Sequence, residues 1–414
     1  MLKDSSTGAH KVKICTGVLG RLVGSARPRH GVVAPRISLW CSGPPAEPSC
    51  TVRQAFRQAR EVKGGFKCTL LHRPARGLRG GLLQYHETAF GGILLSTDRR
   101  YGMRIIVIGQ AAFGAKVVEA LLARGEKVIA VYGPAERPGG RPDPVKEIAL
   151  SRNIPVFQPP TYKDDAAFAQ YRDLNPDLAI LAFVTAIIPS RFLELPARGA
   201  ICYHPSILPR HRGASAINWA IIMGDAKTGL TIFWPDDGID TGPILLQKEV
   251  EIGPDDTTGS LYFDHLFPLG VEAILEAVDL VKAGKAPRIP QSREGATYEP
   301  PCNDRVAGVD WTRSAQEVYN LVRGCDPQPG AYGYWRDEQV RFYSAGLCQE
   351  GAPEAPGTVV AVDSRGLHLA LRGGRLIVAK VRAARGGKMD GAAFAAERNL
   401  KVGERFHGGP EEAK

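Results

Sequence analysis

From residue 103 onward the sequence predicts an α/β fold: a parallel sheet with helices on both faces, then a small antiparallel, barrel-like β domain. Three observations carry this. Strand-like apolar runs alternate four times with helically spaced ones between 103 and 182. Short alternating strands follow a polar connector that starts near 285. The first hundred residues share neither pattern.

Taken in order, "MRIIVIG" reads as a buried strand that Gly109 ends, and "AAFGAKVVEALLARG" follows with apolar residues at helical spacing. "KVIAVYG", "DPVKEIALSRN", "IPVFQP", "DDAAFAQYRDLN" and "DLAILAF" continue as strand, helix, strand, helix and strand. Right-handed crossovers then make this a Rossmann-like domain, with its ligand expected at the carboxyl ends of the strands. "GQAAFG" is not G-x-G-x-x-G, and no acidic residue ends the second strand; Glu136 falls within a loop. Tight strand–helix packing accounts for Gly109 and Gly114 better than a dinucleotide does. "KAPRIPQSREGATYEPPCND" reads as a linker, followed by the helix "SAQEVYNLVRGC". The strands "VRFYSAGL", "GTVVAVD", "GLHLALRGG" and "RLIVAKVRA" complete the second domain. The organisation expected is 1–102 an extension, 103–284 the parallel-sheet domain, 285–308 a linker, 309–405 the C-terminal domain and 406–414 a frayed tail.

Charge is unevenly shared. The chain carries +10, but residues 1–102 hold 17 basic and 5 acidic residues, leaving the remaining 312 with a net of −2. A nucleic-acid binder's bulk charge is therefore missing from the folded part. The first segment is arginine-rich and breaker-rich, as an organellar leader would be, or a stretch upstream of a start at Met103; little order is expected in it. No apolar run approaches the roughly 20 residues of a membrane span. The eight cysteines are widely and irregularly spaced without a C-x-x-C pair, which predicts reduced thiols in a cytoplasmic setting and no metal site.

"ICYHPSILPRHRGAS" places His204 where a strand becomes a loop, and "GLTIFWPDDGIDTGPILLQKEV" places Asp240 between two more strands. A histidine bonded within its own loop, and aspartates capping a turn, are the commonplace alternatives; the latter suffices for Asp236 and Asp237. Asp240 differs because Gly238 and Gly242 flank it. A carboxylate that orients and tunes an imidazole is a recurrent acid–base pair.

"YHPSILPRHRGASAINW" followed by "FWPDDGIDTGPILLQKEVEIGPDD" resembles the 10-formyltetrahydrofolate-dependent formyltransferases, from Met103 to about residue 405. That family includes methionyl-tRNA formyltransferases and the hydrolase module of 10-formyltetrahydrofolate dehydrogenase. The resemblance implies that His204 and Asp240 are the catalytic histidine and aspartate. It implies that Ala186, Ile187 and Ile188 hold the pterin, and it matches Ser206, Ile207, Leu208 and Pro209 to the family's S-L-L-P loop, which adds these four to the substrate-binding residues. It also implies folate as partner and 10-formyltetrahydrofolate as formyl donor. Cys202 stands where methionyl-tRNA formyltransferases carry an asparagine that holds the formyl oxygen. A thiol is a weak donor, so that support is diminished, and Cys202 is expected to pack rather than to attack.

Formyl transfer passes through a tetrahedral intermediate and needs oxyanion donors and a proton shuttle. The acceptor is open between water, an amine and methionyl-tRNA; the net of −2 counts against an RNA-facing surface. NAD(P) is not expected, because the chain leaves no room for an aldehyde-dehydrogenase-sized domain. A non-catalytic folate-binding module is the remaining alternative, and the intact His204–Asp240 pair counts against it.

Overall fold

The computed structural model describes residues 102–136 and 139–409, together with the backbone of six short strands before residue 101. The chain divides into two compact units, Met1–Gly102 and Met103–Lys414. In the first, Lys13–Ile14 pairs with Val18–Leu19, and Arg36–Cys41, Lys67–His72, Leu83–Glu87 and Ile93–Ser96 form a four-stranded sheet. Apart from these strands, the expectation for residues 1–102 falls outside the described residues.

The second unit opens with β1 (Arg104–Gly109), α1 (Ala111–Ala123), β2 (Lys127–Tyr132), α2 (Pro144–Ser151), β3 (Val156–Phe157), α3 (Asp165–Asp173) and β4 (Leu178–Ala182). It continues through α4 (Ser190–Glu194), β5 (Ala200–His204), α5 (Ala216–Ile222), β6 (Lys227–Phe233), β7 (Ile244–Glu251) and α6 (Phe267–Ala283). The seven strands lie in the order β7-β6-β5-β4-β1-β2-β3. The five from β5 to β3 are parallel, and β6 and β7 add to one edge as an antiparallel hairpin. The sheet is thus mostly, not wholly, parallel.

Along β1, Ile105 and Val107 join the core on one face, and Ile106 and Ile108 the core on the other. That double burial is why the strand reads as a continuous apolar run rather than an alternation. Gly109 pairs with Ala182 so closely that a Cβ on Gly109 would sit 2.6 Å from the Ala182 carbonyl oxygen. A Cβ on Gly114 would in turn sit 3.2 Å from Gly109. Both glycines therefore serve close packing of strand and helix, as the sequence suggests. The Asp143 carboxylate caps α2 at Val145 N–H and also accepts from Ala111 N–H, tying the two helix starts together.

The C-terminal domain comprises α7 (Ala315–Gly324), β8 (Ala331–Trp335), β9 (Glu338–Cys348), β10 (Val359–Asp363), β11 (Gly366–Leu371), β12 (Gly374–Ala383), β13 (Met389–Asp390), α8 (Gly391–Arg398) and β14 (Phe406–His407). Its antiparallel sheet runs β10-β11-β12-β9-β8-β14 around a core of its own, with α7 packed against it. This is the predicted small antiparallel domain, a half-barrel. Phe406 is fully buried and pairs with Trp335, so the domain runs past residue 405 and the segment 406–409 is not a frayed tail. Residues 410–414 lie outside the described ones.

The connector 285–308 is not a free linker. Ile289 pairs with Ile244 and Tyr298 with Arg212, so the chain is strapped along the catalytic domain before it enters the second one. Helices α5 and α7 then meet at Gly324, where a Cβ would sit 2.6 Å from Ile222, and the Asn218 amide donates to the Gly324 carbonyl at 2.7 Å.

Candidate functional site

Strand β5 enters the sheet as "AICYH" and delivers His204 at its carboxyl end, 5% exposed. The loop between β6 and β7 brings Asp240 to the same end. Asp240 Oδ2 lies 3.5 Å from His204 Nδ1 and accepts from the Gly213 amide at 2.9 Å. The other ring nitrogen of His204, Nε2, lies 2.8 Å from the His211 carbonyl oxygen. A carbonyl only accepts, so Nε2 carries the proton and Nδ1 is the nitrogen left for chemistry. Asp240 holds a φ of +54°, a backbone strain of the kind found where a side chain must be aimed. The peptide oxygens around it are fixed as well: Gln291 donates to Asp240 O and to Gly242 O, each at 2.8 Å.

His204 and Asp240 sit on the floor of a cavity of about 450 Å³. One wall is the stretch from Phe183 to Pro189, which leaves β4 and includes Ala186, Ile187 and Ile188. Cys202 and Phe233 line the depth, and Tyr298, Gly213 and Ile239 the rim. The wall is largely apolar and open in part: Ile187 is 85% exposed and Phe183 43%, whereas Ile188 turns into the core. Hydrophobic side chains held open beside convergent polar groups are the usual makings of a small-molecule site. Burial, with the Asp240 carboxylate adding to it, pushes the Cys202 thiol well above its ordinary range, so it stays a neutral thiol rather than a nucleophilic thiolate. Its sulfur lies 3.6 Å from the Tyr203 carbonyl.

The loop 206–209 is placed differently. Ser206, Ile207, Leu208 and Pro209 do not line this cavity. Ser206 is fully buried and donates to the Arg210 carbonyl at 2.6 Å. Leu208 N–H donates to Thr231 Oγ1, which donates to Ser206 O, and Gln247 donates to Leu208 O. Ile207 lies against Gly229, where a Cβ would meet it at 2.5 Å. The loop is a brace that turns the chain back toward the site. Pattern reading also passes over His211, Gly213, Gln291, Thr297, Tyr298 and Glu299. The last four belong to a proline-rich stretch whose only signal is an aromatic residue among polar ones.

Among the described residues, no group of three or more His, Cys, Asp or Glu could hold a metal, and no helix is long and apolar enough to cross a membrane. Cys202, Cys302, Cys325 and Cys348 are free thiols.

Residues 103–278 match the formyl transferase domain, and residues 304–399 the formyl transferase C-terminal domain. The chain is 39% identical over 311 residues to a methionyl-tRNA formyltransferase of Symbiobacterium thermophilum, covering 73% of this chain and 95% of that one. It is 43% identical over 267 residues to the human mitochondrial 10-formyltetrahydrofolate dehydrogenase, covering 62% of this chain and only 29% of that larger protein. The fold matches that of HypX from Aquifex aeolicus, solved with tetrahydrofolic acid, with a TM-score of 0.56 at 21% identity over 73% of this chain and 49% of that one. It also matches the sugar formyltransferase WlaRD, with a TM-score of 0.53 at 16% identity over 69% of this chain and all of that one. With both formyl transferase domains present in order, the chain belongs to the folate-dependent formyltransferase family.

Proposed function

We propose that this chain takes the formyl group from 10-formyltetrahydrofolate, passes it to water or to an acceptor nucleophile, and releases tetrahydrofolate. The observation that carries the reading is the convergence of His204 and Asp240 on the floor of a cavity walled by residues 183–189. The acceptor adds to the formyl carbon and gives a tetrahedral oxyanion. Collapse then expels N10, which has to gain a proton while the acceptor loses one. His204 Nδ1 carries that proton, and the Asp240 carboxylate offsets the charge of the imidazolium that forms. The folate ring system lies against Phe183, Ala186 and Ile187, whose exposed area makes an apolar slot, with the buried Ile188 anchoring that stretch from behind.

Water is the acceptor favoured by the depth of the site, where Cys202 offers only a weak donor to the formyl oxygen. Methionyl-tRNA is the second reading, favoured by a match that runs through the C-terminal domain of the bacterial relative. The test is purified protein with 10-formyltetrahydrofolate, following tetrahydrofolate release with water alone, then with methionyl-tRNA, then with small primary amines. Release in water alone supports the first reading, and release only with the charged tRNA replaces it by the second. No release under any condition overturns both.

A further inference from the structure

Within the stretch 211–213, His211 and Gly213 hold both members of the reacting pair through their backbone. His211 offers its carbonyl to His204 Nε2 at 2.8 Å, and Gly213 offers its amide to Asp240 Oδ2 at 2.9 Å. The spacing between imidazole and carboxylate is therefore set by where this short stretch lies. It cannot be held by regular structure, because His211 has a φ of +54° and Gly213 one of +107°. Something else has to fix it.

The His211 side chain is placed to do so. It is 2% exposed and sits between two carboxylates from different parts of the chain. Nε2 lies 2.8 Å from Asp225 Oδ2, just before β6, and Nδ1 lies 3.3 Å from Glu299 Oε2 in the connector, without hydrogen-bond alignment. Asp225 is also gripped by Arg210 through both oxygens, at 2.8 and 2.9 Å. Glu299 is itself buried, and its amide donates to the Arg212 carbonyl at 3.3 Å. The connector reinforces the same loop: the His211 amide donates to Thr297 Oγ1 at 2.8 Å, and the Arg212 amide to Thr297 O at 3.2 Å. Removing the ring takes from Asp225 its only link to the 211–213 stretch, although Arg210 still holds it, and leaves the buried Glu299 facing nothing polar on that side.

We infer that His211, clamped between Asp225 and Glu299, is a positioning residue that fixes the 211–213 backbone and through it the His204–Asp240 geometry. The inference rests on the formyl-transfer reading of that pair. It gives the connector a part in catalysis, since Glu299 and Thr297 reach the reacting histidine through a single intervening residue.

The experiment compares His211→Gln in the wild-type and His204→Ala backgrounds. His211→Gln is expected to lower kcat by about ten- to a hundredfold, with tetrahydrofolate affinity within about twofold of wild type. In the His204→Ala background the same change should alter the residual rate by less than about twofold, because residues acting as a unit lose activity only once. Equal losses in both backgrounds, or matched losses of kcat and affinity, would overturn the inference. Should His211→Gln fail to fold, the isosteric Glu299→Gln reads the same clamp: a lower kcat at unchanged affinity supports it, and an unchanged kcat overturns it. The imidazole ¹H–¹⁵N spectrum reads the claim without turnover. His204 Nε2–H should exchange slowly in wild type and lose that protection in His211→Gln. Equal protection in both proteins overturns the inference, whereas a wild-type chain with no transfer activity would sink the functional reading alone.

Discussion

The floor and the wall of the cavity are built on opposite principles. On the floor, His204 is buried, and its ring, Asp240 and the peptide groups around them are held by Gly213, Gln291 and the His211 carbonyl. On the wall, Phe183 and Ile187 stand in the open, and Thr185 reaches no nearer than 3.5 Å to Gln110. On the proposed function, such over-determination suits proton transfer, for which a misplacement of ~1 Å can cost about a hundredfold in rate. On the same proposal, the wall's exposed apolar area is left for folate to cover. Floor residues should therefore govern turnover, and wall residues affinity.

The largest expected effect follows from the floor. His204→Ala should lower turnover by a factor of ~100 or more, the usual scale for a lost acid–base group, while tetrahydrofolate still binds. Asp240→Ala should fall comparably, and the double variant should be little worse than the worse single. Turnover and folate affinity for all three decide it; fully additive losses, or an active His204→Ala protein, would break the division between floor and wall.

Gly213 tests how firmly the floor is locked. Its φ of +107° suits glycine, and an added Cβ would lie 2.8 Å from the Glu299 carbonyl oxygen, a backbone atom that cannot swing aside. Gly213→Ala should cost ~1–3 kcal/mol of stability and should reduce turnover as well, since the same amide holds Asp240. Denaturant unfolding beside the assay would check this, and a fully stable, fully active variant would mean that the loop has more slack than the floor requires.

How much of this was readable beforehand depended on how local the signal was. The strand β1 and the helix α1 announce themselves within "MRIIVIGQAAFGAKVVEALLA", because burial on both faces of a sheet and along one face of a helix leaves a period in the sequence itself. His204 and Asp240 stood out because glycines and prolines crowd the turns that aim them. Strand β8, with Gly333 at its centre, and the alanine-rich helix α8 carried weaker signals and were passed over. The bonds that strap the connector leave no local trace for a physical reason: they run to residues about 50 to 90 positions away, from Gln291 to Asp240 and from Thr297 and Glu299 to 211–212. A strap held by partners so distant has no period, and its prolines look the same whether the segment is pinned or loose. The loop 206–209 is the converse case. Its motif is distinctive, yet its side chains brace the turn instead of lining the cavity.

Cys202 stands between the two regimes, deep in the cavity but without a strong partner. If the formyl oxygen lacks a good donor there, Cys202→Asn should raise turnover, by about tenfold for a donor that is only fairly well placed. The pocket has to admit the longer side chain, so folate affinity is measured alongside. Unchanged or lower turnover in a variant that still binds folate would mean that another group already serves the oxyanion. A buried thiol held neutral should also resist iodoacetamide at pH 8, which mass spectrometry of the labelled protein would verify.

The smallest expected effect belongs to the wall. Ile187 is 85% exposed, so replacing it removes almost nothing from the folded protein's own packing. Its worth appears only when a flat ring system covers it. Truncation to alanine forfeits part of the ~1.5–3 kcal/mol that burying such a side chain can contribute, because the ligand covers one side of it and leaves the other to solvent. Ile187→Ala should accordingly raise KM for 10-formyltetrahydrofolate and the tetrahydrofolate Kd together, by about three- to tenfold, with kcat and melting temperature unchanged. That signature is the reverse of His204→Ala. A fall in kcat at constant Kd would instead mean that the wall aligns the formyl carbon with His204, and the cavity would then act as one unit from rim to floor.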